Sequence, residues 1–215
     1  MGSDRPKQYL PLGNRTIIEH TLGRLRTHTR LSGVVVVIAP DDAYWPTITI
    51  PNGKGMLLVA HGGAERCHSV LNGLQRLREH ARDDDWVLVH DAARPLITHA
   101  DIGALITKLA HHPVGGLLAA PVADTMKRAN ADGAVVETVD RHGLWRALTP
   151  QMFRWHTLHA ALGAAINAGA LVTDEAQAIE RAGLRPQLVE GRGDNIKVTR
   201  AEDLRLAEWL LQQQE

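Results

Sequence analysis

Residues 33–39 read Gly-Val-Val-Val-Val-Ile-Ala, a glycine followed by an unbroken apolar run. Successive β-branched residues without polar interruption are typical of a strand buried on both faces, so we predict a strand over 34–39. Upstream, Ile18, Leu22 and Leu25 recur at helical spacing and predict a helix with one apolar face. The two segments together make one helix-to-strand unit.

The same alternation of strand and helix patterns continues along the chain. Short apolar runs predict further strands at 56–59, 86–89, 115–120 and 187–190. Apolar residues at helical spacing fall between these runs, and later helices are predicted at 157–168, at 174–182 and from Ala201. This order predicts an α/β sandwich built on a mostly parallel sheet, with residues 1–215 forming a single domain.

Residues 125–144 break this alternation. Polar residues surround Ala131-Asp132-Gly133, and the flanks at 126–129 and 135–139 can pair across that turn. The pattern predicts a β-hairpin arm. Because an isolated two-stranded hairpin is marginally stable in water, we expect the arm to rest on a second subunit.

The composition restricts the possible partners and compartment. The 215 residues are 44% hydrophobic, with 24 Lys and Arg against 24 Asp and Glu. A chain without net charge has no overall field to attract nucleic acid or an anionic membrane. Its single cysteine, Cys67, cannot form an internal disulfide, and the apolar runs are too short for a membrane span. We therefore expect a cytoplasmic protein that binds neither nucleic acid nor membrane.

The first candidate for chemistry is the segment His90-Asp91-Ala92-Ala93-Arg94-Pro95, which directly follows the predicted strand 86–89. Open α/β sheets bind ligands at the carboxyl ends of their strands. There, Asp91 could serve a hydroxyl or a metal, and Arg94 could serve a phosphate. The alternative is an ordinary turn in which the aspartate is a cap and the arginine is its surface partner.

Two lysines and one turn are further candidates for phosphate binding. Lys7 precedes the first helix and could neutralise charge on a reacting phosphate, and Lys197 lies in the glycine-containing stretch 191–199. The alternatives are a solvated lysine and a Gly/Asp/Asn turn. Gly63 and Ser69 lie at the start of a predicted helix, whose amides could bind a phosphate or simply form a strand-to-helix turn.

Four more residues carry suitable side chains in less specific surroundings. Thr125 and Arg141 bracket the arm, where the arginine could bind a phosphomonoester or be a solvated charge. Thr149 and Thr173 are predicted at helix starts, where threonines and aspartates commonly serve as N-caps.

Eight segments, taken in order, resemble one enzyme family: PKQYL, GGAERCHSV, HDAARP, DTMKR, VDRHGLW, LTPQMF, TDEA and GRGDNIKVTRAEDL. The family is 2-C-methyl-D-erythritol 4-phosphate cytidylyltransferase, of the non-mevalonate route to isoprenoids. The likeness covers the chain from Pro6 onward. It implies a Rossmann-like nucleotidyltransferase fold, a homodimer with exchanged β-arms, and transfer of CMP from CTP to a sugar-alcohol phosphate with release of diphosphate.

The resemblance also implies residue roles. Lys7 resembles the lysine that stabilises the charged transition state, Lys197 the one that contacts nucleotide phosphate and acceptor, and Arg141 the arm arginine that positions the acceptor phosphate across the dimer interface. The residues expected to bind the acceptor are Asp91, Thr125, Thr149 and Thr173. The residues expected to line the CTP site are Gly63, Ser69, Ala92 and Arg94.

The implied reaction needs no general base, because the acceptor phosphate already carries a nucleophilic oxygen. Lysine and arginine side chains would offset the repulsion between two polyanions. Mg²⁺ would bridge the triphosphate oxygens while keeping several waters. We therefore expect the chain to supply no metal ligands of its own.

The sequence departs from the family in two places. Family members open with an apolar strand and a glycine-rich loop that ends in an arginine and a methionine, and here the likeness places Met1 at that methionine. We expect the strand and loop to be encoded upstream of this start. Ala64 replaces an acidic residue of some members. Two alternative functions stay open: a ribitol 5-phosphate cytidylyltransferase, and a catalytically impaired nucleotide-binding scaffold.

Overall fold

Six α-helices and ten strands occur within residues 5–214, the part of the chain that the computed structural model describes. The helices are α1 (Ile17–Thr27), α2 (Arg66–Leu77), α3 (His99–Leu109), α4 (Trp155–Asn167), α5 (Glu175–Arg181) and α6 (Ala201–Gln212). The strands are β1 (Pro11–Leu12), β2 (Arg15–Thr16), β3 (Gly33–Ile38), β4 (Met56–His61), β5 (Trp86–Val89), β6 (Gly115–Pro121), β7 (Met126–Ala129), β8 (Val135–Val139), β9 (Trp145–Arg154) and β10 (Gln187–Glu190). None of these helices is both long enough and apolar enough to cross a bilayer. Met1 lies outside the described residues.

The central sheet has four strands in the order β10-β6-β9-β5. β10 and β6 are parallel, whereas β9 runs antiparallel to β6 on one side and to β5 on the other. The backbones of β10 and β6 come very close at Gly116. A Cβ added to this residue would lie 2.0 Å from the carbonyl oxygen of Gln187. Glycine is therefore required at this point of the sheet.

Helices cover both faces of this sheet. Side chains alternate between the faces, so Leu117 and Phe153 pack against α2, α4 and α5, while Leu118 and Met152 pack against α3. All four side chains are almost completely buried. Burial of apolar surface on both faces stabilises the sheet and fixes the position of the carboxyl end of β5.

β3 and β4 form a separate, parallel two-stranded sheet. β3 faces β5 across a cavity of about 670 Å³, which is lined by both strands and by residues of α1 and α2. Within residues 5–214, no strand pairs with β3 on this side. Only Val36 of β3 is buried, so the predicted burial of this strand on both faces is wrong, because the cavity leaves its other residues partly accessible.

The predicted arm is a hairpin in which β7 and β8 pair antiparallel. In the turn, Gly133 has a positive φ of 82°, and the Asn130 side chain accepts hydrogen bonds from two backbone N–H groups. Every residue of β7 is exposed, and Val135 and Val136 of β8 are each 63% exposed. The predicted fold class, a Rossmann-like α/β sandwich with a protruding β-hairpin arm, is confirmed.

Three strands were not predicted from the sequence: the two-residue β1 and β2, and the much longer β9. β9 spans ten residues, and the prediction that Thr149 stands at a helix start is wrong because it lies inside this strand. Polar Thr149 and Gln151, with Pro150 between them, interrupt the apolar pattern. The strand is nevertheless buried from Leu148 to Phe153, because it pairs with a neighbour on each edge.

Candidate active site

Asp91 and Arg94 lie in a tight turn directly after β5. The Arg94 backbone N–H donates to the Asp91 carbonyl at 3.0 Å and closes this turn. The two side chains are only 13% and 11% exposed, and Arg94 Nε lies 3.5 Å from Asp91 Oδ2. Arg94 is therefore no surface partner, and the turn presents a partly buried ion pair at the carboxyl edge of the sheet.

Two further cations approach the Asp91 carboxylate. Lys197 Nζ lies 3.0 Å from Oδ2, and Arg66 Nη2 lies 3.3 Å from Oδ1. Burial raises the pKa of Asp91, but Lys197 and Arg66 together outweigh burial and hold it at about 2. Asp91 is thus an anion at neutral pH, and the cations around it leave local positive charge that suits phosphate groups.

Arg66 is held from its other side by Glu175, the first residue of α5. Arg66 Nη1 and Nη2 lie 2.6 Å and 3.1 Å from the two carboxylate oxygens, a fork that binds both at once. The Glu175 side chain is only 1% exposed. Burial raises the pKa of the Glu175 carboxyl, and the Arg66 guanidinium acts in the opposite direction.

His90 and Thr149 fix the beginning of the turn. His90 Nε2 lies 3.1 Å from the carbonyl oxygen of Arg94, which can only accept, so this nitrogen carries a proton. Burial lowers the pKa of His90 to about 4. The ring is thus neutral at pH 7, and its Nδ1 accepts from the Thr149 hydroxyl at 2.9 Å. The same hydroxyl oxygen accepts from the Asp91 backbone N–H at 3.2 Å, so Thr149 helps to hold Asp91.

The stretch 191–199 brings Lys197 to this turn. Asn195, which is buried, donates from its side-chain amide to the Thr149 carbonyl at 2.9 Å. The Asn195 carbonyl accepts from Arg94 Nη1 at 2.7 Å. Because these bonds fasten the loop to β9 and to the turn, the position of Lys197 is set by the fold and not by a loose surface loop.

The predicted nucleotide-lining residues border the same region. Ser69, Ala92 and Asp91 all line the cavity between β3 and β5. At the start of α2, the Gly63 N–H donates to Ser69 Oγ at 3.1 Å, and that hydroxyl donates to the Glu65 carbonyl at 3.2 Å. The Gly63 N–H of this turn therefore already has a hydrogen-bond acceptor within the protein.

Lys7 and Thr173 are not part of the cluster around Asp91. Lys7 begins a single 3₁₀ turn, Lys7–Tyr9, and its side chain has no hydrogen bond or ion pair with residues 5–214. Thr173 is exposed beside the start of α5, and its hydroxyl donates to Gln177 at 3.3 Å. The roles predicted for both residues stay predictions.

Thr125 and Arg141 lie at the base of the arm. Thr125 is exposed just before β7. Arg141 follows β8, and its guanidinium donates to the Ala123 carbonyl of the same chain. The structure brings neither side chain into a hydrogen bond or ion pair with the Asp91 cluster among residues 5–214, so their predicted roles also stay predictions.

Sequence reasoning assigned no role to Arg66 and Glu175. Both occur in segments that carry the family resemblance, GGAER and TDEA, and both begin a helix. The only sequence feature that could have indicated a contact between them is that opposite charges stand at the starts of two helices. Their contact could not be anticipated, because the two residues are 109 positions apart.

Comparison with known proteins matches this chain to one family. The family model described as 2-C-methyl-D-erythritol 4-phosphate cytidylyltransferase matches residues 1–213. The Pseudomonas fluorescens (strain Pf0-1) protein of that name is 54% identical over 213 residues, which cover 99% of this chain and 89% of the relative. The Pseudomonas aeruginosa (strain PAO1) protein of the same name is 56% identical over 205 residues, covering 95% and 87%.

Solved structures agree with the sequence match. A crystal structure of 4-diphosphocytidyl-2C-methyl-D-erythritol synthase aligns with a TM-score of 0.86 at 39% identity, covering 96% of this chain and 95% of that chain. The crystal structure of 2-C-methyl-D-erythritol 4-phosphate cytidylyltransferase from Thermus thermophilus aligns with a TM-score of 0.79 at 30% identity, covering 96% and 94%. The chain described here therefore belongs to the 2-C-methyl-D-erythritol 4-phosphate cytidylyltransferase family.

Proposed function

We propose that this chain transfers CMP from CTP to 2-C-methyl-D-erythritol 4-phosphate and that it does so in the cytoplasm. The observation that carries the proposal is the cluster of Lys197, Arg94 and Arg66 around Asp91 at the carboxyl end of β5. Such a cluster offers positive charge to phosphates and a carboxylate to sugar hydroxyls. Family membership supplies the class of reaction, and the names of the relatives supply the acceptor.

In the proposed reaction, a phosphate oxygen of the acceptor attacks the α-phosphorus of CTP. A new phosphorus–oxygen bond forms while the bond from that phosphorus to the bridging oxygen breaks, and diphosphate leaves with the electron pair. The attacking oxygen is already anionic, so no general base is needed. The task of the protein is to hold two polyanions together and to offset their repulsion.

The roles of the individual residues are those that the family resemblance implies. Lys197 is 36% exposed and lies at the rim of the cluster, so it can bind phosphate oxygens of both substrates. Lys7 would stabilise the five-coordinate phosphorus, and Arg141 would bind the acceptor phosphate. The proposed acceptor-binding residues are Asp91, Thr125, Thr149 and Thr173. The proposed CTP-lining residues are Gly63, Ser69, Ala92 and Arg94.

In this proposal, Mg²⁺ is bound by the phosphates of CTP. Within residues 5–214, no group of three or more His, Cys, Asp or Glu side chains could hold a metal ion. Asp91, the one carboxylate at the centre of the cluster, is already paired with cations. We therefore propose that Mg²⁺ arrives bound to the CTP phosphates with part of its water shell, and that residues 5–214 supply no cluster of ligands for it.

We further propose that two chains form a homodimer through exchanged arms. Val135 and Val136 are highly exposed on a two-stranded hairpin, which a second subunit would cover and stabilise. Arg141 would then leave the Ala123 carbonyl, which it contacts here, and reach the acceptor phosphate at the partner's Asp91 cluster. Each active site would need both chains.

Mixing two inactive variants tests this arm exchange. If Arg141 acts across the interface, Arg141→Ala and Lys7→Ala subunits each fail alone, but mixed dimers contain one intact site. Statistical mixing should restore about a quarter of the wild-type activity. Confirmed subunit exchange without any recovery of activity would place Arg141 in its own chain and overturn the proposal.

The function itself is tested by measuring diphosphate release from CTP, Mg²⁺ and 2-C-methyl-D-erythritol 4-phosphate. Ribitol 5-phosphate is run in parallel, and we expect a kcat/KM at least about 10²-fold lower with it. Lys7→Ala should lower kcat at least about 10²-fold with a smaller effect on CTP binding. CTP binding without any release would favour a nucleotide-binding scaffold, and equal rates with both acceptors would overturn the proposed acceptor.

A further inference from the structure

Glu175 is fully buried, yet the proposed reaction does not use it. Its only described charged partner in direct contact is Arg66, which binds both of its oxygens. Burying an ion pair costs so much desolvation that an apolar pair of similar volume is often as stable. Fold stability is therefore a poor explanation for this pair. The other contact of Arg66, with Asp91, suggests a different role.

Arg66 joins Glu175 to the candidate site. Its Nη2 lies 3.1 Å from Glu175 Oε2 and 3.3 Å from Asp91 Oδ1, so one nitrogen bridges two carboxylates. The three residues come from the start of α2, the start of α5 and the turn after β5. Their mutual position is thus set by how two helices pack on the sheet.

The start of α5 is itself fastened to the sheet. Gln151 of β9 accepts from the Ala176 backbone N–H at 2.8 Å and donates to the Asp174 carboxylate at 2.9 Å. Gln151 is 1% exposed, so water does not compete for these bonds. Glu175 lies between the two fastened residues and cannot shift without breaking them. It therefore gives Arg66 a fixed anchor.

The two oxygens of Asp91 have different partners. Oδ2 is approached by Lys197 at 3.0 Å and by Arg94 at 3.5 Å, whereas Oδ1 is approached by Arg66 alone among the ion pairs of residues 5–214. Lys197 must turn toward a phosphate if it is to bind substrate. The contact of Arg66 with Oδ1 would then keep the Asp91 carboxylate in place when Lys197 moves away from Oδ2.

We propose that Glu175 and Arg66 are positioning residues for Asp91: Glu175 fixes the guanidinium of Arg66, and Arg66 holds Oδ1 so that the carboxylate faces the acceptor hydroxyls. The inference rests on the proposed function for the identity of the acceptor. It predicts that removing the pair damages use of the acceptor more than binding of CTP.

The main test is the double variant Arg66→Met/Glu175→Leu, which removes both charges and keeps most of the volume. We expect it to fold, to lose about 10²-fold in kcat/KM for the acceptor, and to keep the CTP KM within about threefold. Arg66→Lys should lose less, because lysine retains the charge without the fork. The matched control is Asp83→Asn, which breaks the exposed Arg78–Asp83 pair beyond the other end of α2 and should change neither parameter.

A second readout does not depend on activity. Carboxyl-carbon NMR of the substrate-free protein measures the pKa of Asp91. In the double variant this pKa should rise from about 2 toward the ordinary 3.8, because the Arg66 charge that lowers it is removed. Lys197 remains and should keep the rise incomplete. If the double variant does not fold, Arg66→Gln/Glu175→Gln, which removes both charges but keeps polar groups, is titrated instead, and the same rise of the Asp91 pKa is expected. An inactive wild-type protein would sink the proposed function and leave this titration to decide the inference. Unchanged acceptor kcat/KM, or an unchanged Asp91 titration, would show that the pair is only structural.

Discussion

The β3–β4 sheet and the four-stranded sheet use the same kinds of apolar side chains but bury them to different extents. Of the six residues of β3, only Val36 is buried, whereas six of the seven residues of β6 are buried. β6 has a partner on each edge and helices on both faces. Among residues 5–214, β3 has one partner strand, and it faces the cavity. The burial of a strand is thus decided by its neighbours as much as by its own residues, and stability should be concentrated in the four-stranded sheet.

The largest expected effect is in the four-stranded sheet. Phe153 of β9 is fully buried between the sheet and α4. Phe153→Ala should lower the free energy of unfolding by about 3–5 kcal/mol, because it removes apolar contacts and leaves a cavity. Chemical denaturation followed by circular dichroism measures this. A loss under about 1 kcal/mol would show that the sheet is not the tightly packed part of the molecule.

The stability of the fold should depend on pH through His90, which lies between the two regions. His90 follows β5, and burial lowers its pKa from 6.5 to about 4. The unfolded chain therefore binds a proton more readily than the folded protein does. The stability of the fold should be complete above pH 6.5 and should fall as the pH decreases toward 4, by about 3 kcal/mol at most.

Denaturation curves between pH 7 and pH 4 would measure this effect, with imidazole NMR to follow His90 itself. Asp91 contributes only at lower pH, because its pKa is depressed to about 2 from 3.8. Its stabilisation is complete above pH 3.8 and is lost as the pH falls toward 2. An NMR pKa near 6.5 for His90 would contradict its position in the hydrogen-bonded turn.

The same substitution should cost less beside the cavity than in the core. Val189→Ala, at the one buried residue of β10, should destabilise the fold by about 2 kcal/mol, and Val35→Ala, which faces the cavity, by about 1 kcal/mol or less. The pair removes identical groups, so the difference reports the surroundings alone. Equal losses would mean that the cavity is closed in solution.

The smallest effect is a difference in backbone protection. Amides of residues 151–153 in β9 should exchange hydrogen with solvent at least about tenfold more slowly than those of β3, because this part of β9 is paired on both edges. Hydrogen exchange followed by NMR resolves individual amides. Protection that is uniform across both strands would remove the distinction between the two regions.

The sequence predicted what local patterns encode and missed what distant pairing decides. The strands at 86–89 and 187–190 and both strands of the arm were predicted with the bounds that are observed. β9 was missed, because Pro150 and its polar neighbours hide a strand that only β5 and β6 on either side make buried. For the candidate site, the position of Asp91 after β5 followed from the strand pattern. The bridge from Glu175 through Arg66 did not, because no local pattern encodes the contact between the starts of α2 and α5.

The cation cluster around Asp91 also has a kinetic consequence. The chain as a whole has no formal net charge, so the excess of positive charge in this cluster is a local feature. At physiological ionic strength such a field reaches only about 8 Å into solution. We expect the rate of encounter with CTP to depend weakly on salt, because the nucleotide meets no long-range attraction. Its dissociation should instead quicken as salt rises, since screening acts once the phosphates lie among the cations.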